Sequence, residues 1–153
     1  MITKRPPRLQ WIYTRHPLFF VTACTWQRRP LLNRDSTFAA FRTFAERAED
    51  HGVYVGKYVL MPDHLHLFVA FRPESATLSS WMKSLKNSLS KELRTESEPA
   101  PHWQRGFFDH VLRSGESYSQ KWDYVEENPV RAGLVTDAAD WPFQGEVCEL
   151  RFD

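Results

Sequence analysis

Cysteine is scarce in this chain. Only Cys24 and Cys148 occur in 153 residues, far apart and without a CxxC spacing, which excludes a thiolate zinc site and a disulfide framework and suits a reducing cytosol. No apolar run approaches the roughly 18 residues of a membrane span, and none of signal-peptide length follows the basic residues at the amino terminus. The expectation is a soluble, cytoplasmic protein with no membrane contact. An excess of one charge is also missing: 20 Lys and Arg stand against 19 Asp and Glu, for a formal net charge of +1. No bulk electrostatic signal for nucleic acid follows from that balance. Neither an internal repeat nor a low-complexity tract is present.

What is there is core-forming. A content of 42% hydrophobic and 14% aromatic residues fits one compact domain over residues 1–153. Lys4, Arg5, Arg8 and Arg15 crowd the first sixteen residues and mark a basic arm over about 1–15, either a solvated tail or a phosphate-binding element.

The segment "HPLFFVTACTW", His16 to Trp26, is rich in aromatic and β-branched residues, as a buried strand is. Asp35 or Ser36 can cap a helix whose apolar positions Phe38, Phe41, Phe44 or Ala45, and Ala48 recur at helical spacing until Gly52. "VYVGKYVL" and "HLHLFVAF" then predict an antiparallel hairpin joined by "MPDH", with Pro62 and Asp63 as turn formers. A second helix runs from about Thr77 to Leu93 with Leu78, Met82, Leu85 and Leu89 as its buried stripe and Lys83, Lys86 and Lys91 outside it. "FFDHVLRS" fits a fourth strand, and "GESYSQKWDYVEEN" a third helix stopped by Pro129. The order β-α-β-β-α-β-α predicts an α+β, ferredoxin-like antiparallel sheet. Two helices cover one face, and the third helix covers the other.

The hairpin carries the chemistry. Strand alternation puts Leu65, Leu67, Val69 and Phe71 under the first two helices, and turns His64, His66 and Phe68 to the opposite face. Two imidazoles side by side are either part of a metal site or a decorated surface, and two ligands are too few for a tight structural zinc. On the third helix Tyr118, Trp122 and Val125 form the packing stripe. Tyr124 and Asn128, at i and i+4, share another face that Lys121 adjoins. His110 on the fourth strand is a rival third ligand.

"PDHLH", with "DYVEENPVRAGLV" much later in the chain, resembles the single-tyrosine HUH transposases, where U is a bulky apolar residue, here Leu65. Within that superfamily the spacing from Tyr124 to "NPVRAGLV", and "DWPF" at Asp140 to Phe143, resemble the REP-associated tyrosine transposases, bacterial relatives of insertion-sequence transposases. The similarity spans roughly His16 to Phe143, and Gln144 stands where a serine is expected. The resemblance implies the ferredoxin-like fold, His64 and His66 as metal ligands with Asn128 as the third, Tyr124 as nucleophile, and Mg²⁺ or Mn²⁺ as cofactor. It implies cleavage of single-stranded DNA at imperfect hairpins of repetitive extragenic palindromes, by a monomer or a dimer with the tyrosine delivered in cis or in trans.

The chemistry is consistent with those roles. A phenol ionises near pH 10, so its attack on phosphorus needs help, and a divalent ion that polarises the phosphate supplies it. A covalent 5′-phosphotyrosine conserves the phosphodiester energy, so that a second 3′-hydroxyl can reverse the step without ATP. DNA contacts would draw on Arg5, Arg15, Lys83, Lys86, Arg105, Arg113, Lys121 and Arg131. Lys121 is either a solvated helix lysine or a group that binds the scissile phosphate or assists proton transfer. Two other functions share the fold: a non-catalytic nucleic-acid-binding module, and a metal-dependent hydrolase that uses water and leaves Tyr124 dispensable.

Overall fold

The computed structural model describes residues 17–152 and the backbone of Trp11–Thr14; Lys4, Arg5, Arg8 and Arg15 lie outside the described residues. In chain order the elements are β1 (Trp11–Thr14), β2 (Leu18–Cys24), α1 (Asp35–Ala48), β3 (Val53–Leu60), β4 (His64–Phe71), α2 (Leu78–Thr95), β5 (Phe108–Leu112), α3 (Gly115–Glu126), α4 (Asn128–Arg131), β6 (Gln144–Glu146) and β7 (Glu149–Phe152). Five of the strands form an antiparallel sheet in the order β5-β2-β4-β3-β6. Its first four strands, with α1 and α2 as crossovers, have the ferredoxin-like order expected from the sequence. β6 extends the sheet beside β3, and β1 pairs in parallel with β7 as a separate ribbon.

Local chemistry sets the boundaries. Gly52 takes up the left-handed conformation (φ 78°) after the last turn beyond α1, as a helix-ending glycine does. At the start of α2 the Thr77 hydroxyl accepts the Ser80 amide hydrogen at 3.1 Å, and Ser114 does the same for Ser117 at the start of α3. Each bond satisfies an amide that the helix leaves unpaired.

The sheet buries both faces. Beneath it, Leu65, Leu67 and Val69 pack with Phe41 and Ala45 of α1 and Met82, Leu85 and Leu89 of α2. Above it, Phe20, Phe68 and Ala70 pack with Tyr118, Trp122 and Val125 of α3. The Phe68 and Tyr118 rings stack with centroids 4.5 Å apart and planes 7° from parallel. Trp141 and Phe143 of the "DWPF" segment are structural: the Trp141 indole donates to the Leu60 carbonyl at 3.0 Å and its ring meets Phe143 edge-on. Among the described residues no helix is long and apolar enough to cross a membrane.

One expectation needs correcting. The third helix was expected to run through Asn128 up to Pro129, but α3 ends at Glu126 and a new turn, α4, begins at Asn128 with Pro129 in its first positions. Proline has no amide hydrogen to continue the ladder, yet its fixed φ suits the first turn of a helix. It therefore restarts the helix instead of ending the helical segment.

Gly56 sits at the irregularity between Val55 and Tyr58 where β3 slips register against β4. A Cβ there would lie 2.7 Å from both the Tyr118 hydroxyl and Leu150 Cδ1. The Tyr118 ring is held by its stack on Phe68 and cannot swing aside freely. Gly56→Ala should therefore cost about 1–3 kcal/mol through overpacking, read as a lower denaturant midpoint. An unchanged midpoint would show that α3 is loosely docked.

Candidate active site

Register decides what surrounds the histidine pair. Directly opposed residues of an antiparallel sheet share a face. Thr22 pairs with both His66 and Phe108, while Phe20 pairs with both Phe68 and His110. The face covered by α3 thus carries the rows Phe108–Thr22–His66 and His110–Phe20–Phe68, with His64 opposite Cys24 at the end of the hairpin.

The two imidazoles stand edge to face with centroids 4.8 Å apart. Each has its Nδ1 engaged: His66 Nδ1 lies 2.8 Å from the Thr22 hydroxyl, and His64 Nδ1 2.8 Å from an Asp63 carboxylate oxygen. Asp63 can only accept, so His64 donates its Nδ1 hydrogen and keeps a lone pair on Nε2; the Thr22 hydroxyl both donates and accepts, and His66 has the same free Nε2 in the tautomer that donates to it. Burial depresses the basicity of both rings. For His66 burial, then the charges of His64, Lys121, Arg131 and Arg28, bring the pKa down to about 3. Both rings are therefore neutral at physiological pH.

Asp63 is itself held. Burial pushes its carboxyl up, but hydrogen bonds from His64 and Arg28 outweigh that and keep it below the usual range. Arg28 Nε donates to Asp63 Oδ2 at 2.9 Å, and its Nη1 donates to Cys24 Sγ at 3.2 Å. These contacts hold a turn in which Gln27 and Arg28 both take left-handed backbone angles, φ 53° and 56°, at a cost of about 1–2 kcal/mol each. Thr22, Asp63 and Arg28 were not singled out as site residues in the sequence. The adjacency of Asp63 to His64 was a usable signal; Thr22 becomes visible only through register.

Tyr124 lies on α3 and is 64% exposed. Arg131 closes the break that Pro129 makes: its Nη2 donates to the Tyr124 carbonyl at 2.7 Å and to Asn128 Oδ1, and its guanidinium sits 4.0 Å from the Tyr124 ring centroid. Tyr124, Asn128 and Arg131 form one cluster. Lys121 lies over the Phe20 ring at 5.2 Å, and Phe20 stacks on His66 at 5.1 Å, so the tyrosine helix reaches the histidine pair through this lysine and ring. Among the described residues no hydrogen bond or ring contact joins Tyr124 or Asn128 to either histidine, and no third His, Cys, Asp or Glu completes a metal cluster. His110 is exposed on the edge strand, one row beyond His66 and two strands across the sheet from it.

The basic candidates separate by face. Lys121, Arg131 and Arg113 accompany α3 and β5 on the histidine side, and Lys121 and Arg113 line a groove of about 440 Å³ with Tyr124 and His110. Arg105 is exposed in the loop before β5. Lys83 and Lys86 belong to α2, beneath the sheet. The Lys86 ammonium is occupied by the carbonyls of Gln104 and Gly106.

Known proteins resemble this chain in sequence and in fold. The chain is 23% identical over 141 residues to a protein of Haemophilus influenzae named for the REP-associated tyrosine transposases, covering 86% of this chain and 80% of that one. It is 27% identical to the REP-associated tyrosine transposase of Escherichia coli, over 61% of this chain and 54% of that protein. Among solved structures, a REP-associated tyrosine transposase bound to a REP hairpin superposes with a TM-score of 0.67 at 23% identity, covering 94% of this chain and 82% of the other. A transposase structure from Deinococcus radiodurans superposes with a TM-score of 0.55 at 16% identity, over 82% of this chain and 97% of that one. The model of the family described as "Transposase IS200 like" matches residues 18–128, from the first strand of the sheet to Asn128. With that match covering well over half of its length, the chain belongs to the IS200-like transposase family.

Proposed function

We propose that the chain is a metal-dependent endonuclease and strand transferase for single-stranded DNA, cleaving at REP-type hairpins through a 5′-phosphotyrosine on Tyr124. One observation carries the reading: an exposed tyrosine rides on a helix docked over the same sheet face as two neutral imidazoles whose Nδ1 atoms are already tied down. Free Nε2 atoms backed by a carboxylate or hydroxyl are the usual arrangement of metal-binding histidines. The hairpin substrate is taken from the structural relative that is bound to one.

The donor set fits a divalent ion. His64 and His66 would each offer Nε2, and Asn128 Oδ1 retains a second lone pair beside the one Arg131 occupies. Phosphate and water oxygens are left to fill the other positions, as suits Mg²⁺ or Mn²⁺. Held by these residues, a divalent ion would supply Lewis-acid polarisation of the scissile phosphate and neutralise charge on its oxygens. Tyr124 Oη attacks phosphorus, the bond from phosphorus to the 3′ oxygen breaks, and the chain retains the 5′-phosphate as a tyrosyl ester. The phenolic proton passes to solvent, and the departing 3′ oxygen takes one up. In this reading Lys121 holds a phosphate oxygen, and Arg131, 4.0 Å from the Tyr124 ring centroid, fixes that ring.

Asp63→Ala and Thr22→Val each remove an Nδ1 partner while sparing Nε2, and each should weaken Mn²⁺ binding by about 10–100-fold in calorimetric titration. Wild-type affinity in both variants would deny them an orienting role. The reading itself is tested by incubating the chain with labelled single-stranded hairpin DNA and Mg²⁺ or Mn²⁺ and resolving the products on a denaturing gel. A slow-migrating covalent adduct is expected. Cleavage without an adduct would point to a water-using hydrolase, and binding without cleavage to a passive module.

A further inference from the structure

We propose that Phe108 is a stacking platform for an unpaired base beside the scissile phosphate, at the end of a strand path that follows β5. The proposal rests on the cleavage site inferred above and names a binding element outside it.

Phe108 is 69% exposed, the most exposed of the large apolar side chains described. Its neighbour Phe107 packs, partly buried, against the lower core, so the chain shelters one phenylalanine of the pair and leaves the other in water. Register puts Phe108 in the same row as Thr22 and His66. Two strand spacings, about 10 Å, separate it from His66, a distance that one nucleotide can span from its phosphate to its base. Among the described residues β5 is the edge strand, and no further strand of the sheet shadows this side of the ring.

Charge identifies the occupant. The groove beside β5 is lined by His110, Arg113, Ser117, Gln120, Lys121 and Tyr124, and its charged side chains are all cationic. The acidic residue of the strand, Asp109, alternates to the other face. An apolar ring on the same face of β5 as His110, which lines this cationic groove, and in the row of the proposed phosphate site, matches a single strand with splayed bases, which binds by stacking on aromatics and by phosphate contacts. The free edge of β5 could instead pair with a second copy of the chain, and the experiment separates the two.

Binding is measured in the Tyr124→Phe background, so that the probe survives, by anisotropy of a labelled DNA hairpin with single-stranded flanks in Mg²⁺. Phe108→Ala and Phe108→Leu should each weaken binding about tenfold, while Phe108→Trp restores it. Because Phe108 is exposed, none of the three should change the melting temperature. An abasic site walked through the flanks should cost affinity at one position in the Tyr124→Phe protein and cost nothing there in the additional Phe108→Ala variant. Undiminished affinity in Phe108→Ala, an abasic penalty that persists unchanged, or a Phe108→Ala effect confined to the oligomeric state in sedimentation would each overturn the stacking role, the last in favour of self-pairing. No DNA binding by any variant would overturn it as well. Binding through Phe108 without an adduct on Tyr124 in the otherwise native chain would overturn only the cleavage chemistry.

Discussion

Tyr124→Phe is expected to abolish the covalent DNA adduct and to lower strand cleavage by at least about 10³-fold, since it deletes the attacking oxygen and leaves nothing to replace it. The substitution removes a single atom from a side chain that is 64% exposed. The ring keeps its place beneath Arg131, whose hydrogen bond goes to the Tyr124 carbonyl and not to the hydroxyl. Stability and hairpin affinity should therefore stay near those of the unaltered chain. That combination, binding without chemistry, separates a nucleophile from a residue that merely shapes the surface. A Tyr124→Phe variant that still cleaves would transfer the reaction to water.

His66→Ala is expected to cost at least about 10²-fold in cleavage, because losing a proposed ligand outright should exceed the 10–100-fold typical of losing a ligand's supporting partner. The loss should appear first as a weaker response to Mn²⁺, measured as initial rate against metal concentration. Removing the ring also takes the partner from the Thr22 hydroxyl and the stacked neighbour from Phe20, so a melting curve is needed beside the rates. A destabilisation of about 1 kcal/mol is compatible with the hydrogen bond lost and far too small to explain the fall in rate. An unchanged metal response would remove His66 from the site.

Much of this architecture was readable before any coordinates. The hairpin "VYVGKYVL"–"HLHLFVAF" has the boundaries of β3 and β4, because alternation, β-branched content and the Pro62–Asp63 turn agree. The faces of β4 followed from alternation alone: Leu65, Leu67 and Val69 do meet α1 and α2, and Phe68 does meet α3. The packing stripe of α3 held for the same reason, as Tyr118, Trp122 and Val125 are buried together.

What was not legible depends on contacts distant in sequence or on elements too short to show a period. β6 has three residues and β1 and β7 four each, fewer than periodicity can resolve. Thr22 supports His66 only because β2 and β4 pair in one register out of several. Lys86 has the sequence of a free helix lysine, yet the loop before β5 folds back and occupies its ammonium. The break between α3 and α4 illustrates a subtler limit. Pro129 was rightly read as interrupting a helix, but its compatibility with a new first turn, and Arg131's capping of Tyr124, arise from geometry that a breaker rule does not contain.

The most direct measurement is to digest the covalent complex formed with 3′-end-labelled hairpin DNA and Mn²⁺, whose label stays on the protein-linked fragment, and to locate the nucleotide by peptide mass spectrometry. The account predicts a single nucleotidyl peptide carrying a 5′-phosphotyrosine at Tyr124, absent when the metal is chelated. A nucleotide attached to any other residue, or full cleavage with no attached nucleotide, would contradict it.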